Sequence, residues 1–219
     1  MQRSQRGLVE DFARQMMKKE IGHDFKHADR VRNWALRIAQ EEGYEDLQAV
    51  EVAALLHDIG LAQVKKRSLH GPIGSLMAVE FLTEKNIFPE DVVKEIGNAI
   101  RYHNSIQHGN GRLLDIVRDA DILDLLGAIG IMRAYTSKSS RPEYDPENVK
   151  GETWGASAKE YDRRFDAGLG TGDYIVDHLN FHISCYGNLH TEAAKRLAKP
   201  LVEFMRDYII QLESEVKGS

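Results

Sequence analysis

Residues 52–60 read Val-Ala-Ala-Leu-Leu-His-Asp-Ile-Gly, an apolar run that ends in an imidazole and a carboxylate side by side. The run predicts a buried helix. A buried imidazole and a buried carboxylate are costly to desolvate, so His57 and Asp58 need a partner. A divalent metal ion is the obvious candidate, and the dipeptide is then one corner of a larger site.

The bulk composition is that of an ordinary globular chain. The 219 residues are 42% hydrophobic and 29% charged, enough for one fair-sized domain or two small ones. The net charge of −5 argues against a general nucleic-acid binder but leaves room for a local positive pocket for a small anion.

The cellular setting is predicted from the same composition. The single cysteine, Cys185, excludes an intramolecular disulfide and indicates a reducing compartment. No apolar stretch approaches the ~20 residues of a membrane span, and the first residues lack the apolar core of a signal peptide. We therefore expect a cytoplasmic protein without membrane contact.

Apolar residues recur at three- and four-residue spacing almost throughout the chain, which predicts helices and no strand. Gly43 is expected to end the second helix, Asp46 to cap the third, and Pro200 to kink or break the last. The predicted helices run over Leu8–Glu20, His27–Glu42, Asp46–Leu61, Pro72–Lys85, Pro89–His103, Leu113–Tyr135, Asp173–Cys185 and Thr191–Val216.

Residues 136–170 differ from the rest because they are polar, contain two prolines and end in closely spaced glycines. We interpret them as a long surface loop or flap, with at most one short helix, between the sixth and seventh predicted helices. No repeat or linker divides the chain. The prediction is an all-α, single-domain helical bundle over residues 1–219, with a core at about 20–135 and C-terminal helices at about 172–216.

Candidate metal ligands lie mostly near the ends of different predicted helices, where a bundle can bring them to one mouth. They are His27, His57, Asp58, His70, His103 and Asp121. Imidazole and carboxylate without thiolate suit Mn, Fe, Co, Ni or Zn. Taken singly, a helical histidine is more often a hydrogen-bonded packing residue than a ligand, and Asp121 has an alternative partner in Arg118.

The ordered pattern His27, His57-Asp58, Asp121 resembles the HD-domain superfamily of metal-dependent phosphohydrolases. Longer tracts are similar to a bacterial subfamily of nucleotide pyrophosphohydrolases. These tracts are HDFKHADRVRNWALRIA (23–39), AALLHDIG (53–60), RDADILDLLGAIGIMR (118–133) and DHLNFHISCYGNLHTEAAKRLA (177–198). The resemblance covers most of residues 20–216 and is weakest at 136–170.

The resemblance assigns the four family ligands to this chain as His27, His57, Asp58 and Asp121. It implies that His57 and Asp58 also take part in catalysis, and it selects Asp121 because that residue follows an alanine, as in the family. His70 and His103 match further histidines of HD proteins that hold two ions. Here they bind a second ion, contact phosphate or have a structural role.

The stretch after the His-Asp pair departs from part of the family. Some HD enzymes carry a glutamate there that positions water, whereas residues 59–63 read Ile-Gly-Leu-Ala-Gln. A one-ion mechanism that relies on this glutamate is therefore disfavoured. A two-ion mechanism, or one assisted by His70 or His103, is favoured.

Substrate phosphates need cationic partners, and the candidates are Arg30, Lys65, Lys66 and Arg101. Arg30 lies about one helical turn from His27, on the same face. The lysines belong to a Lys-Lys-Arg run that is equally typical of a solvated loop.

The resemblance thus implies a hydrolase that acts on a nucleotide or another small phosphorylated compound, by pyrophosphohydrolysis with metal-activated water. Two alternatives stay open. One is a nucleotide- or partner-binding regulator that keeps the metal site without catalysis, and the other is an HD-type oxygenase with a di-iron pair. The number and identity of the ions, the substrate and the oligomeric state are not predicted, and no nucleic-acid polymer is expected as a partner.

Overall fold

The structure, a computed structural model, describes residues 3–17, 22–105 and 109–218. Its α-helices are α1 (Arg3–Met16), α2 (Phe25–Glu41), α3 (Leu47–Leu56), α4 (His70–Glu84), α5 (Glu90–Tyr102), α6 (Arg112–Leu123), α7 (Gly127–Ser137), α8 (Ala158–Asp166), α9 (Ile175–Ser184) and α10 (Glu192–Lys217). Short 3-10 segments cover Ile59–Gln63, Arg67–Leu69 and Cys185–Asn188. Within the described ranges there is no strand, so the all-α prediction is confirmed.

The chain divides into two compact units. The first comprises residues 1–121 with 190–193, and the second comprises 122–189 with 194–219. No helix in the described part of the chain has the length and apolarity that crossing a membrane requires.

Helix α3 forms the centre of the first unit. Residues 49–56 are all buried, and α3 packs against α1, α2 and α5, while α4 packs against α5. Burial of an aliphatic side chain such as Leu55 or Leu56 is worth about 1.5–3 kcal/mol. The apolar run therefore anchors the residues that follow it, His57 and Asp58, in the core.

Helix α3 ends five residues earlier than the sequence predicts. Asp46 caps its start as predicted, because its carboxylate accepts a hydrogen bond from the Ala49 amide at 2.9 Å. The predicted end at Leu61 is wrong: the α-helix stops at Leu56 and a 3-10 segment follows. Gly60, within this 3-10 segment, lies directly against the backbone of α4, where no side chain would fit.

The other helices of the first unit follow the prediction to within a few residues. Gly43, with φ +64°, follows α2 as expected. Helix α1 begins before the predicted Leu8, and its predicted end at Glu20 lies outside the described residues. Helix α4 begins at His70, two residues before the predicted start.

The predicted sixth helix, Leu113–Tyr135, is wrong because the structure divides it into α6 and α7. Gly127 adopts φ +65°, a left-handed conformation that interrupts a right-handed helix. The break is held in place by Asp124, whose buried carboxylate pairs with the Arg133 guanidinium at 2.7 Å. The Asp124 carbonyl accepts a second hydrogen bond from the same side chain.

The break predicted at Pro200 does not occur, since α10 is assigned as one helix that contains this proline. A proline inside a helix removes one backbone hydrogen bond. The buried face formed by Ala198, Val202 and Met205 continues across the proline.

The segment 136–170 is, as predicted, largely loop with one short helix, α8. Its central hydrogen-bond acceptor is the fully buried Asp177 on α9. This carboxylate accepts bonds from the Thr153 amide and hydroxyl and from the Tyr174 amide, at 3.0–3.3 Å. A Cβ at Gly151 or Gly172 would collide with the same carboxylate.

His178 and His182, on α9, are held neutral inside the second unit. Their ring centres lie 4.5 Å apart, and neither Nδ1 atom has a hydrogen-bond partner among the described residues. Burial, followed by the charges of Lys138 and Arg141, lowers the pKa of His178 to about 3. Burial lowers the pKa of His182 well below its usual range.

We expect Gly60→Ala to destabilise the protein by about 3 kcal/mol, because its Cβ would lie 2.6 Å from the Gly74 nitrogen and still closer to the His70 carbonyl. Gly7→Ala is the matched control. It lies in α1 with open space around its Cβ, and alanine there should stabilise by about 0.5–1 kcal/mol. Chemical denaturation measures both, and equal effects would contradict the prediction.

We also expect stability to fall as the pH drops below about 6.5, the ordinary histidine pKa in an unfolded chain. The folded-state pKa values of His178 and His182 are lowered, so the unfolded state binds protons first. Their contribution is complete above pH 6.5 and is lost as the pH falls towards 3. Calorimetry at pH 7 and 4.5 should show a smaller drop in unfolding temperature for the double variant His178→Gln, His182→Gln than for the native protein. Equal drops would refute this explanation.

Candidate metal centre

All six predicted ligands belong to the first unit, and the structure brings them together. His27 lies in the first turn of α2, behind the cap formed by Asp24. His57 and Asp58 follow α3, and His70 begins α4. The two remaining residues, His103 directly after α5 and Asp121 on α6, complete the set.

The first group of ligand atoms consists of His27, His57, Asp121 and one oxygen of Asp58. His27 Nε2 lies 3.2 Å from His57 Nε2 and 3.4 Å from Asp121 Oδ1. Asp58 Oδ2 lies 3.5 Å from each of the two imidazole nitrogens. Such short distances between ligand atoms are those of a compact cation site.

The second group uses the other oxygen of the same carboxylate. Asp58 Oδ1 lies 3.2 Å from His70 Nε2 and 3.5 Å from His103 Nε2. The two imidazole nitrogens are 3.0 Å apart. Asp58 therefore lies between the two groups and presents one oxygen to each.

Backbone carbonyls determine which ring nitrogen carries the proton in three of these histidines. The Nδ1 atoms of His57, His70 and His103 face the carbonyls of Ala54, Arg67 and Ile100. A carbonyl oxygen can only accept, so each Nδ1 donates and each Nε2 presents a lone pair.

This arrangement of lone pairs is the observation that tests whether a cation fits. At 3.0 Å, the Nε2 lone pairs of His70 and His103 repel each other unless a proton or a metal ion lies between them. Carboxylate and imidazole donors in this arrangement suit a divalent transition-metal ion. The described residues thus form a His/Asp cluster able to hold such an ion.

The electrostatics of the cluster also suit a cation. Burial lowers the pKa of His57 to about 4. Burial raises the pKa of Asp58 and Asp121, but the neighbouring imidazoles outweigh it and leave both carboxyl pKa values lowered. Burial lowers the pKa of His103, but Asp58 outweighs it and raises the value overall. At neutral pH the carboxylates are therefore ionised and His57 is neutral, as metal binding requires.

His23 is a site residue that the sequence reasoning missed. Its Nδ1 lies 3.1 Å from Asp58 Oδ2, and its Nε2 lies 2.8 Å from the Arg67 guanidinium. It precedes the cap of α2, outside any helical pattern. The only available signal was its position four residues before His27.

The predicted phosphate-binding cations are less well placed than the ligands. In the described part of the chain, no hydrogen bond or ion pair joins Lys65, Lys66 or Arg101 to the His/Asp cluster. The two lysines are exposed on the turn between the 3-10 segments, and Arg101 lies over the Tyr102 ring. Arg30 is half-buried on α2.

Family comparison agrees with this cluster. Residues 24–126, which span all six ligands, match the HD domain family. The match places an HD domain in residues 24–126. The superfamily predicted from the His27, His57-Asp58, Asp121 pattern is thereby confirmed.

Solved structures similar to this protein cover nearly its whole length. An HD-superfamily hydrolase of Bacillus thuringiensis has a TM-score of 0.72 at 25% identity, covering 99% of this chain and 98% of that one. Bacillus subtilis YpgQ, solved in complex with ADP, has a TM-score of 0.66 at 23% identity, with 97% and 95% covered. In sequence, YpgQ of strain 168 is 26% identical over 208 residues, 90% of this chain and 86% of YpgQ.

We expect a divalent transition-metal ion, added after treatment with a chelator, to raise the unfolding temperature of this protein. An ion present at one hundred times its dissociation constant stabilises the folded state by about 2.7 kcal/mol. Asp58→Asn should abolish most of the shift because Asp58 faces both ligand groups. Asp162→Asn, an exposed carboxylate on α8, is the matched control. Identical shifts in the two variants would rule out the cluster as the binding site.

Proposed function

We propose that this protein is a metal-dependent phosphohydrolase acting on a nucleotide or another small phosphorylated compound. The observation that carries the proposal is the carboxylate of Asp58, with one oxygen facing each of two groups of imidazole nitrogens. Phosphate esters and anhydrides resist attack by water because of their negative charge, and paired cations offset that charge.

Each of the two groups of ligand atoms around Asp58 would hold one cation. His27, His57 and Asp121, with Asp58 Oδ2, would hold one ion. His70 and His103, with Asp58 Oδ1, would hold a second. When bound, such ions lower the pKa of coordinated water and neutralise the charge that develops on the phosphoryl group.

Substrate and water would enter beside Asp121. Its side chain is 32% exposed, whereas the other five candidate ligands are at most 6% exposed. The turn at 59–63 has no carboxylate, and Gln63, at its end, is exposed. We therefore assign to Asp121 the additional task of orienting the attacking water, which in some relatives belongs to a glutamate.

The substrate class rests on two lines of support. YpgQ, which resembles this chain over nearly its full length, was solved in complex with ADP. The sequence tracts around the ligands resemble nucleotide pyrophosphohydrolases. We propose hydrolysis of the anhydride bond between the α- and β-phosphates of a nucleoside triphosphate, in which water is consumed and the monophosphate and pyrophosphate are released.

The setting of this reaction is also part of the proposal. Cys185 is the single cysteine of the chain, so no intramolecular disulfide can form, which suits a reducing compartment such as the cytoplasm. The net charge of −5 suits a small anionic substrate held by a local site rather than a nucleic-acid polymer.

We expect the Mn-loaded protein to hydrolyse at least one member of a nucleotide panel, with pyrophosphate release as the measurement. His57→Ala and Asp58→Ala should each lower kcat/KM about a thousandfold, because each removes a ligand to the cation that stabilises the transition state. The control is Asp162→Ala, which should keep native activity.

Three outcomes would overturn this proposal. Turnover that survives both substitutions would remove the cluster from the mechanism. Tight nucleotide binding without hydrolysis, across several metals, would indicate a regulator. Oxygen-dependent loss of substrate with iron would indicate an oxygenase.

A further inference from the structure

Arg67 is an exposed residue that contacts histidines on both sides of Asp58. It begins the 3-10 segment Arg67–Leu69, directly before His70. Its carbonyl faces His70 Nδ1, and its guanidinium lies 2.8 Å from His23 Nε2.

The guanidinium decides the tautomer of His23. Arginine has only donors, so the His23 Nε2 atom must accept and therefore carries the lone pair. The proton is then on Nδ1, which donates to Asp58 Oδ2 at 3.1 Å. Although His23 lies at ligand distance from His27 and Asp58, this tautomer makes it a hydrogen-bond donor to the carboxylate rather than a ligand.

The Arg67 carbonyl orients a histidine, His70, on the other side of the Asp58 carboxylate. Because His70 Nδ1 donates to this carbonyl, His70 Nε2 presents its lone pair towards Asp58 Oδ1 and His103. The Arg67 carbonyl thus orients the His70 ring, which belongs to the second ligand group. Through His23, the Arg67 guanidinium orients Asp58 Oδ2, which belongs to the first group.

The guanidinium also lies beside one of the exposed residues of the cluster. His23, its partner, is 23% exposed and, with Asp121, is one of the two cluster residues that reach solvent. Only one of the five N–H donors of an arginine is needed for the bond to His23. The planar remainder suits two parallel hydrogen bonds to a phosphate group.

We propose that Arg67 binds a phosphate group of the substrate and, through His23, holds Asp58 in the orientation that both ligand groups need. The phosphate contact rests on the proposed function, whereas the hold on Asp58 does not. Arg67 thereby links the binding of substrate phosphate to the orientation of Asp58 in the cation site.

The first measurement is cation affinity without any nucleotide, by titration calorimetry with Mn²⁺. Arg67→Ala should weaken Mn²⁺ binding about tenfold, as expected for loss of a residue that orients ligands. His23→Ala should do the same, whereas His23→Asn keeps a donor near Nδ1 and should bind within threefold of the native protein. The control Lys85→Ala removes an exposed charge at the end of α4 and should leave the affinity unchanged.

The second measurement is binding of inorganic pyrophosphate to the Mn-loaded protein. Arg67→Ala should weaken it at least tenfold and raise KM for any nucleotide that is turned over. Arg67→Lys keeps the positive charge but lacks the planar guanidinium that donates two parallel hydrogen bonds. It should therefore recover only part of the lost pyrophosphate affinity. Circular dichroism checks that each variant is folded, and Arg67→Gln replaces Arg67→Ala if the alanine variant is not.

Several results would overturn the proposal. Unchanged Mn²⁺ affinity in both Arg67→Ala and His23→Ala would refute the hold on Asp58. Unchanged pyrophosphate binding would refute the phosphate contact. Equal losses in Lys85→Ala would show that the effect reflects only the change in net charge. If no phosphorylated compound is hydrolysed, the proposed function fails, but the Mn²⁺ titrations still decide the role of Arg67.

Discussion

The first unit depends on the contacts between the Asp58 carboxylate and the imidazoles around it. The carboxylate is nearly buried, and the imidazoles of His27, His57, His70 and His103 surround it. A buried charge of this kind is tolerated because its neighbours satisfy it, and removing one partner would leave an unpaired charge in the core. The folded core positions four histidines against this one carboxylate.

The helices that surround the Asp58 carboxylate were largely predictable from the sequence. The run of aliphatic residues before His57 predicts a buried helix, and the structure surrounds α3 with other helices. Candidate ligands at the ends of predicted helices converge because neighbouring helices of a bundle present their ends to a common region. The division of the ligands into two groups was not predictable, since it depends on which oxygen of Asp58 faces which ring.

The errors have local physical causes. The break before α7 is hidden among good helix formers, and only the left-handed conformation of Gly127 with the buried Asp124–Arg133 pair reveals it. Of the kink or break expected at Pro200, the break does not occur, and the buried face of α10 continues across the proline. His23 was missed because it lies outside any helix, where periodicity carries no information.

The burial of α3 has a consequence for how such a protein can diversify. A helix packed on all sides cannot shift without disturbing the core, so the metal-binding chemistry that follows it resists change. The turn at 64–69 is mostly exposed and carries few packing constraints. New substrate preferences can therefore arise by mutation of the other residues of this turn, while Arg67 and the ion-binding geometry beneath it are inherited intact.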